Sequence, residues 1–413
     1  MQLFDKNFGR RFLVVFGFVF IDVLGYSLVL PLLPYIAEQF AATPAVVGLL
    51  LTSNALAQMV AAPVIGRLYD RYGRRPLLLV SIAGTVVSFL IFAFANSLAV
   101  LFFSRILDGL LGGNTSLARA YITDITGDKE RSKGLGLIGA AFGLGFIVGP
   151  FTGGLLSQYG YALPGLVAAG VSLVNFIAVF IWLPESLTPE QKKKQRESPY
   201  TAFNLRRLVE ALQTPCVGEL LMIGFWYSMS FTLFQVNFVL AAKEKLALDV
   251  RTTSLLLSLV GLLAVVTQGG LVGWLTDRFS ERKLIFAATL TLAASLVGWA
   301  FAPSVFALAV VLVPTAISAG ITNVISTSLL TKAIHQEEVG GMLGISQSQQ
   351  TFARVVAPLA GGPLIQYVAA SAVGLVGAGL MGVAAYLEKK ALLSRPPLKG
   401  PCGWEEEEGS IAG

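Results

Sequence analysis

The sequence Gly66-Arg67-Leu68-Tyr69-Asp70-Arg71-Tyr72-Gly73-Arg74-Arg75 is a short, densely charged turn between two long apolar runs, and it decides the fold. A degenerate copy, Gly273-Trp274-Leu275-Thr276-Asp277-Arg278-Phe279-Ser280-Glu281-Arg282-Lys283, follows 207 positions later, again between apolar runs. A cationic turn repeated in this setting indicates that the chain arose by doubling a membrane-spanning half. Such duplication is typical of transporters with two repeats around a central site.

The composition also indicates a membrane protein. The chain is 55% hydrophobic and only 13% charged, whereas a soluble chain carries about 25% charged residues. The net charge of +6 comes from basic residues in short clusters between apolar runs. Because such clusters are typical of membrane topology and not of a nucleic-acid-binding stripe, we expect a lipid bilayer as partner and no nucleic acid.

Twelve apolar segments are long enough to cross a bilayer, since a spanning helix needs about 20 mostly apolar residues. They are 12–33, 45–65, 76–95, 97–120, 134–157, 162–183, 218–241, 253–275, 283–301, 304–331, 340–366 and 368–387. The short connections leave no room for strands. The sequence therefore predicts an all-α integral membrane protein, with twelve transmembrane helices in two pseudo-symmetric six-helix bundles.

The two halves share a second motif besides the charged turn. Gly149–Gly154 in the fifth span matches Ala357–Gly362 in the eleventh, 208 positions later. The predicted domains are an N-terminal half at 1–183, a cytoplasmic linker at 184–217, a C-terminal half at 218–387 and a disordered cytoplasmic tail at 388–413. The linker is lysine- and proline-rich, and the tail ends in an acidic run.

The distribution of lysine and arginine predicts the orientation. With the N-terminus and the loops after even-numbered spans in the cytoplasm, that side holds 24 of the 30 basic residues, and the opposite side only Lys243, Lys245 and Arg251. This bias predicts a multi-pass protein with both termini cytoplasmic. Both cysteines, Cys216 and Cys402, fall in cytoplasmic segments, so we expect no disulfide framework.

Four motifs resemble those of the major facilitator superfamily. Gly66–Arg75 resembles its loop between the second and third helices, and Arg105–Gly109 its fourth-helix motif with a membrane arginine. Gly139–Gly154 resembles the fifth-helix motif of antiporters, and Asp22–Pro34 the first helix of drug:proton antiporters, especially tetracycline exporters. One departure matters. Tetracycline exporters carry an aspartate in the third helix where this chain has Ser88, so their ligand set does not transfer whole.

Three charged residues within the spans are candidates for proton coupling. Asp22 lies in the middle of the first span, where an ionised carboxylate is costly and usually functional. Arg105 and Asp108 are three apart on the fourth span and can face each other. The arginine would set the charge state of Asp22 or hold an anionic intermediate. The alternatives are a structural acceptor role for Asp22 and simple mutual neutralisation of Arg105 and Asp108.

Polar and aromatic residues within other spans are candidates for a substrate cavity. Lipid offers amides no partner, so polar stripes on spanning helices should face a cavity or another helix. The aromatic and amide mixture of the seventh span suits an amphipathic ligand. The predicted cavity residues are Asn54, Gln58, Trp226, Tyr227, Gln235, Asn237, Gln347, Gln350 and Arg354. Interhelical hydrogen bonding and lipid-facing packing are the alternatives.

The charged turns and the glycine-rich fifth helix are candidates for gating. Small residues let helices approach closely, and a proline permits bending, so the fifth helix is expected to seal against the partner half. The charged turns are expected to lock one conformation. The predicted gating residues are Gly66, Asp70, Arg71, Gly73, Arg74, Asp277, Arg278, Gly145, Gly149, Pro150, Gly153 and Gly154.

These features predict a proton-coupled antiporter that exports small amphipathic organic molecules by alternating access. Its partners would be the small-molecule substrate, protons and the lipid bilayer, and it would act as a monomer without cofactor or metal. The alternatives are a uniporter or symporter of a small metabolite, and a transport-dead scaffold or receptor. An enzyme is not expected, because no nucleophile–base set, metal cluster or phosphate loop stands out in the sequence.

Overall fold

In the computed structural model the described residues are 6–112, 114–125, 128–186, 210–214, 216–334 and 339–393, and none of them lies in a strand. Short turns join their helices. The helices are α1 (Lys6–Val29), α2 (Leu33–Gln39), α3 (Pro44–Tyr72), α4 (Arg74–Ala93), α5 (Leu98–Leu111), α6 (Asn114–Ile125), α7 (Asp128–Leu156), α8 (Ala162–Trp182), α9 (Val217–Leu246), α10 (Val250–Val266), α11 (Val272–Thr276), α12 (Glu281–Phe301), α13 (Val305–Lys332), α14 (Val339–Tyr367) and α15 (Ala370–Glu388). The π-helical segments Thr267–Leu271 and Lys389–Leu393 follow α10 and α15.

The helical architecture confirms the predicted all-α multi-pass membrane fold. Within the described ranges, ten helical stretches are long and apolar enough to cross a membrane. The predicted fourth span is divided into α5 and α6, because the backbone turns extended at Gly112. The predicted eleventh span is α14, a continuous helix of 29 residues.

Two serine caps repeat at corresponding places in the chain. Ser97 accepts a hydrogen bond from the backbone N–H of Val100 and starts α5, and Ser304 accepts one from Ala307 and starts α13. Capping serines satisfy backbone donors that a helix start leaves free. The two caps lie 207 positions apart, the same offset as the charged turns, which supports the internal duplication.

The contacts divide the chain into two compact units. The first comprises the chain up to Ala202 together with Ala242–Val265. Its apolar core is built around Phe18, Ile82 and Tyr121. The second comprises Phe203–Ala241 and the chain from Val266 onward, with a core around Ile285 and Ile325. The boundaries at 183, 217 and 387 stay a prediction, since most of the linker and nearly all of the tail lie outside the described residues.

The two cysteines lie in different parts of the chain. Cys216 directly precedes α9 and is buried, whereas Cys402 lies outside the described residues. The expectation of no disulfide framework therefore stays a prediction.

Candidate functional site

A charged cluster is buried inside the apolar helices of the first unit. Arg105 and Asp108 face each other across one turn of α5, with Nη1 and Oδ2 3.6 Å apart and side chains only 2% and 10% exposed. Asn54 of α3 donates from Nδ2 to Asp108 Oδ2 and to the Arg105 carbonyl, both at 3.0 Å. The predicted ion pair between Arg105 and Asp108 is therefore present, and hydrogen bonds from α3 hold it in place. A buried pair persists only when such hydrogen bonds offset the cost of desolvation.

Serines and aromatic rings complete the surroundings of Arg105. Its Nη2 donates to Ser104 Oγ at 2.9 Å and to Ser88 Oγ at 3.4 Å. Its guanidinium lies 5.5 Å and 5.1 Å from the ring centres of Phe89 and Phe92. Both distances suit a cation–π interaction. Ser88 contributes a hydroxyl and no charge, so Asp108 balances the charge of Arg105 one to one. The Nε of Arg105 is buried without a hydrogen-bond partner among the described residues.

Asp22 lies on α1 and is half-buried. It is in electrostatic range of the Tyr69 hydroxyl, and so is Arg74. That hydroxyl is buried and has no hydrogen-bond partner in the described ranges. One turn after Asp22, Tyr26 lies in electrostatic range of Arg105. Asp22 therefore lies in electrostatic range of Tyr69, a residue of the last turn of α3, and Tyr26 lies in range of Arg105.

The first charged turn is anchored by carboxylates from later in the chain. Gly73 has a φ of 103°, a conformation that side chains disfavour. Arg74, which starts α4, is largely buried. Its Nε donates to Asp124 Oδ2 at 3.1 Å, and its backbone N–H donates to Glu185 Oε1 at 2.9 Å. Gly66 is half-buried and Arg71 is exposed. The side chain of Asp70 lies outside the described part of the structure, so its gating role stays a prediction.

The second charged turn differs from the first in its backbone. Ser280 has a φ of −66°, which needs no glycine. This explains why Ser280 can stand where the first copy has Gly73. Asp277 and Arg278 are exposed, and the Arg278 guanidinium lies 3.8 Å from the centre of the Trp274 ring. Glu281, in the first turn of α12, forms an ion pair with Lys332 at 2.9 Å.

The glycines of α7 mark its closest helix contacts. A Cβ at Gly145 would lie 2.9 Å from Val23, one at Gly149 1.9 Å from Ser27 Oγ, and one at Gly153 2.3 Å from the Leu28 carbonyl. These three positions pack on α1, within the same predicted half, and Pro150 lies buried among them. Two other glycines of the motif face α10, a helix of the predicted C-terminal half. A Cβ at Gly143 would lie 2.5 Å from Val265, and one at Gly154 would lie 2.6 Å from Ser254. The motif therefore packs against helices of both predicted halves.

The predicted cavity residues fall into two groups. Tyr227 and Asn237 are buried and join helices: the Tyr227 hydroxyl donates to the Ala319 carbonyl at 2.9 Å, and Asn237 Nδ2 to the Ala357 carbonyl at 3.3 Å. For both residues, this geometry favours interhelical hydrogen bonding over a role in lining the cavity. The other members are exposed or half-buried; they are Asn54, Gln58, Trp226, Gln235, Gln347, Gln350 and Arg354. Their assembly into one cavity stays a prediction.

The sequence interpretation missed one group of residues in the first unit. We call it the outer latch, because the sequence predicts that this end of the spans lies outside the cytoplasm, and its members are Tyr35, Glu38, Lys243, Leu248 and Thr253. The Tyr35 hydroxyl donates to the Leu248 carbonyl at 2.7 Å and lies 3.2 Å from Thr253 Oγ1. Lys243 forms an ion pair with Glu38, and its ammonium lies 4.9 Å from the centre of the Tyr35 ring. The latch thus joins the end of α2 to the end of α9 and the start of α10.

The start of α10 is held in place by its own cap. The Asp249 carboxylate accepts a hydrogen bond from the backbone N–H of Thr252 at 3.2 Å, and hydrogen bonding to Thr252 lowers the pKa of Asp249. The cap stabilises the turn that presents Leu248 and Thr253 to Tyr35. A signal was present in the sequence: Lys243 and Glu38 are rare charges at the predicted outer ends of spans.

Tyr35→Phe is expected to loosen the outer latch, because it removes a buried hydrogen bond worth about 1 kcal/mol. That free energy corresponds to a roughly fivefold change in the equilibrium constant between the closed and the open latch. The measurement is the rate at which an impermeant maleimide labels Ser254→Cys, a buried position beside Gly154. Tyr159→Phe is the matched control, since Tyr159 is an exposed tyrosine at the same end of the bundle. Equal labelling rates for both phenylalanine variants would contradict the latch.

Apolar helices with a buried ion pair and closely packed glycines define the class, a multi-pass protein embedded in the bilayer. The chain belongs to the Major Facilitator Superfamily, whose family model matches residues 15–236 and 220–411. It is 30% identical over 342 residues to solute carrier family 67 member A1 of Homo sapiens, with 81% of each chain covered. It is 29% identical over 386 residues to the class C tetracycline resistance protein of Escherichia coli, covering 91% of this chain and 94% of the relative.

Solved structures share the fold. The human organic anion transporter MFSD10 (TETRAN) superposes with a TM-score of 0.68 at 21% identity, covering 93% of this chain and all of that one. A bacterial homolog of the human lysosomal transporter Spinster, solved in an inward-facing, unoccupied conformation, superposes with a TM-score of 0.74 at 13% identity, covering 93% of this chain and 97% of the other. At these identities the likeness establishes the architecture alone.

Proposed function

We propose that the chain is a proton-coupled antiporter that exports small amphipathic organic molecules by alternating access. The observation that carries the proposal is the setting of Asp22, a half-buried carboxylate on α1 in range of the Tyr69 hydroxyl. The similarity to tetracycline resistance proteins of Escherichia coli supports an export role. Both termini are taken to be cytoplasmic, and the working unit is taken to be a monomer.

Asp22 would carry the proton in this mechanism. An ionised carboxylate inside an apolar bundle is costly, and protonation removes the charge. Binding and release of one proton would therefore change which conformation is favoured. A cationic or polar group of the substrate would compete with the proton for binding to Asp22. Alternatively, the substrate would bind to a conformation other than the one that protonated Asp22 favours.

The Arg105–Asp108–Asn54 network would act as a fixed polar element beside this carrier. Its charges are balanced and held by hydrogen bonds, so it does not need to exchange protons to remain stable. The spare Nε of Arg105 is a donor suited to an anionic or carbonyl group on a substrate. The outer latch would close one side during part of the cycle, and its opening would release the substrate outward.

The test is flux in proteoliposomes under an imposed pH gradient, with a panel of organic cations, anions and zwitterions. Antiport predicts that a substrate accumulates against its gradient while protons move the opposite way, recorded by a pH-sensitive dye. Proton movement in the same direction as substrate would identify a symporter, and flux independent of the gradient a uniporter. Ligand binding without any flux would identify a receptor or scaffold.

Asp22→Asn is expected to abolish proton-driven uphill transport, because asparagine cannot carry a proton. Exchange of labelled for unlabelled substrate at equal concentrations needs no net proton movement, so it should continue in this variant. The measurement compares the two assays on the same proteoliposomes. Uphill transport at the wild-type rate would exclude Asp22 as the proton carrier, and loss of both activities would indicate a structural role.

A further inference from the structure

A carboxyl group lies buried in the second unit, apart from the site described above. Glu388, the last residue of α15, is 0% exposed. Its Oε1 accepts a hydrogen bond of 2.8 Å from Thr289 Oγ1 of α12, a residue that is also completely buried. Its Oε2 is buried and has no hydrogen-bond partner in the part of the chain that the structure describes. Among the described residues, this carboxyl group therefore receives one hydrogen bond.

The surroundings of Glu388 are apolar. Ile285 and Ala288 of α12 and Ala391 and Leu392 of the π-helical segment belong to the same buried core. An ionised carboxylate there would be desolvated with a single hydrogen bond, at a cost of several kcal/mol. A neutral acid avoids most of this cost, and a proton needs no additional space. The π-helical segment Lys389–Leu393 begins directly after Glu388, and such segments occur frequently at functional sites.

The charged groups on the neighbouring elements either are exposed or contact groups other than Glu388. On α12, Arg282 donates from Nη1 to the Leu392 carbonyl at 3.4 Å, and Glu281 pairs with Lys332. On α14, which also packs against α15, Arg354 is exposed. On the π-helical segment itself, Lys389 and Lys390 are exposed. Across the described ranges no ion pair includes Glu388, so no described residue supplies a countercharge that would hold it ionised.

We propose that Glu388 and Thr289 form a proton-binding site in the second unit, separate from Asp22, whose occupancy controls the packing of α12 on α15. With the proton bound, the site is neutral and the two helices remain packed. After the proton leaves, the carboxylate requires water or a cation, which the closed contact does not admit. The site does not depend on the coupling role of Asp22, so either proposal can fail without the other.

The first test follows the thermal unfolding of the full-length protein, purified in detergent, as pH is varied. A carboxyl group that is neutral in the folded state and ionised in the unfolded state makes stability fall as pH rises. Glu388→Gln cannot ionise, so it should lose this part of the pH dependence while its midpoint at low pH stays near that of the wild type. Glu244→Gln is the matched control, since Glu244 is exposed near the end of α9. It should keep the wild-type profile.

The second test is infrared spectroscopy, which detects a protonated carboxyl group directly and can be applied to the wild-type protein. The carbonyl band of a protonated carboxylic acid is expected at pH values where exposed carboxyl groups are ionised. The band should disappear in Glu388→Gln and persist in the controls Asp22→Asn and Glu244→Gln. It should shift in frequency in Thr289→Val, because this variant removes the hydrogen bond from Thr289. If glutamine prevents folding, Glu388→Met provides the neutral variant.

Two results would overturn the proposal. One is a pH profile and an acid band in Glu388→Gln that match the wild type. The other is a midpoint that responds to sodium or potassium at constant pH in the wild type but not in Glu388→Gln. That outcome would assign the site to a metal cation instead of a proton.

Discussion

Arg105→Met is expected to abolish transport and to lower the free energy of unfolding by about 3–5 kcal/mol, because it leaves a buried carboxylate without its partner. Among the described residues, the Asn54 amide is the hydrogen-bond partner that Asp108 keeps after this change. Flux in proteoliposomes and thermal unfolding in detergent measure the two effects separately. Arg354→Met is the control, since it removes the same charge from an exposed position on α14. It should unfold close to the wild-type midpoint.

A second variant separates the structural role of Arg105 from its functional role. Arg105→Met combined with Asp108→Asn removes both charges, so most of the lost stability should return. Transport should stay absent if Arg105 acts on the substrate or on Asp22. Recovery of transport together with stability would show that the pair only neutralises itself, which is the alternative that the sequence left open.

Gly153→Ala is expected to block transport although it adds a single methyl group. The new Cβ would lie 2.3 Å from the Leu28 carbonyl oxygen. This oxygen belongs to the backbone of α1, so it cannot move aside as a side chain can. Helices α1 and α7 must separate, which disrupts close packing and displaces α1, the helix that carries Asp22. The measurements are flux and the amount of folded protein in the membrane.

The same helix provides the control for this prediction. Gly139 is exposed, and a Cβ there would meet nothing within 4 Å. Gly139→Ala changes helix propensity in the same way but adds no clash. It should therefore transport like the wild type. Equal flux in the two alanine variants would show that the α1–α7 contact is not needed for transport. Gly154→Ala tests the contact with α10 independently, since its Cβ would lie 2.6 Å from Ser254.

The sequence alone determined the class of protein, the helical architecture and the duplication. The reason is physical: a spanning helix must be apolar over its own length, and basic residues flank it locally. These are properties of short stretches, and they can be read without knowledge of contacts. The pair Arg105–Asp108 was predictable for the same reason, because positions three apart on a helix are neighbours. The repeated serine caps at Ser97 and Ser304 also follow from local sequence.

Only the tertiary structure decided which distant groups meet. Arg74 pairs with Asp124, Tyr35 bonds to Leu248, and Glu388 accepts from Thr289. Three glycines of α7 pack on α1, and two pack on α10. The sequence around any one of these residues does not contain its partner. Helix pairing depends on how side-chain ridges and small residues of two helices fit together, and that fit exists only after the helices have packed.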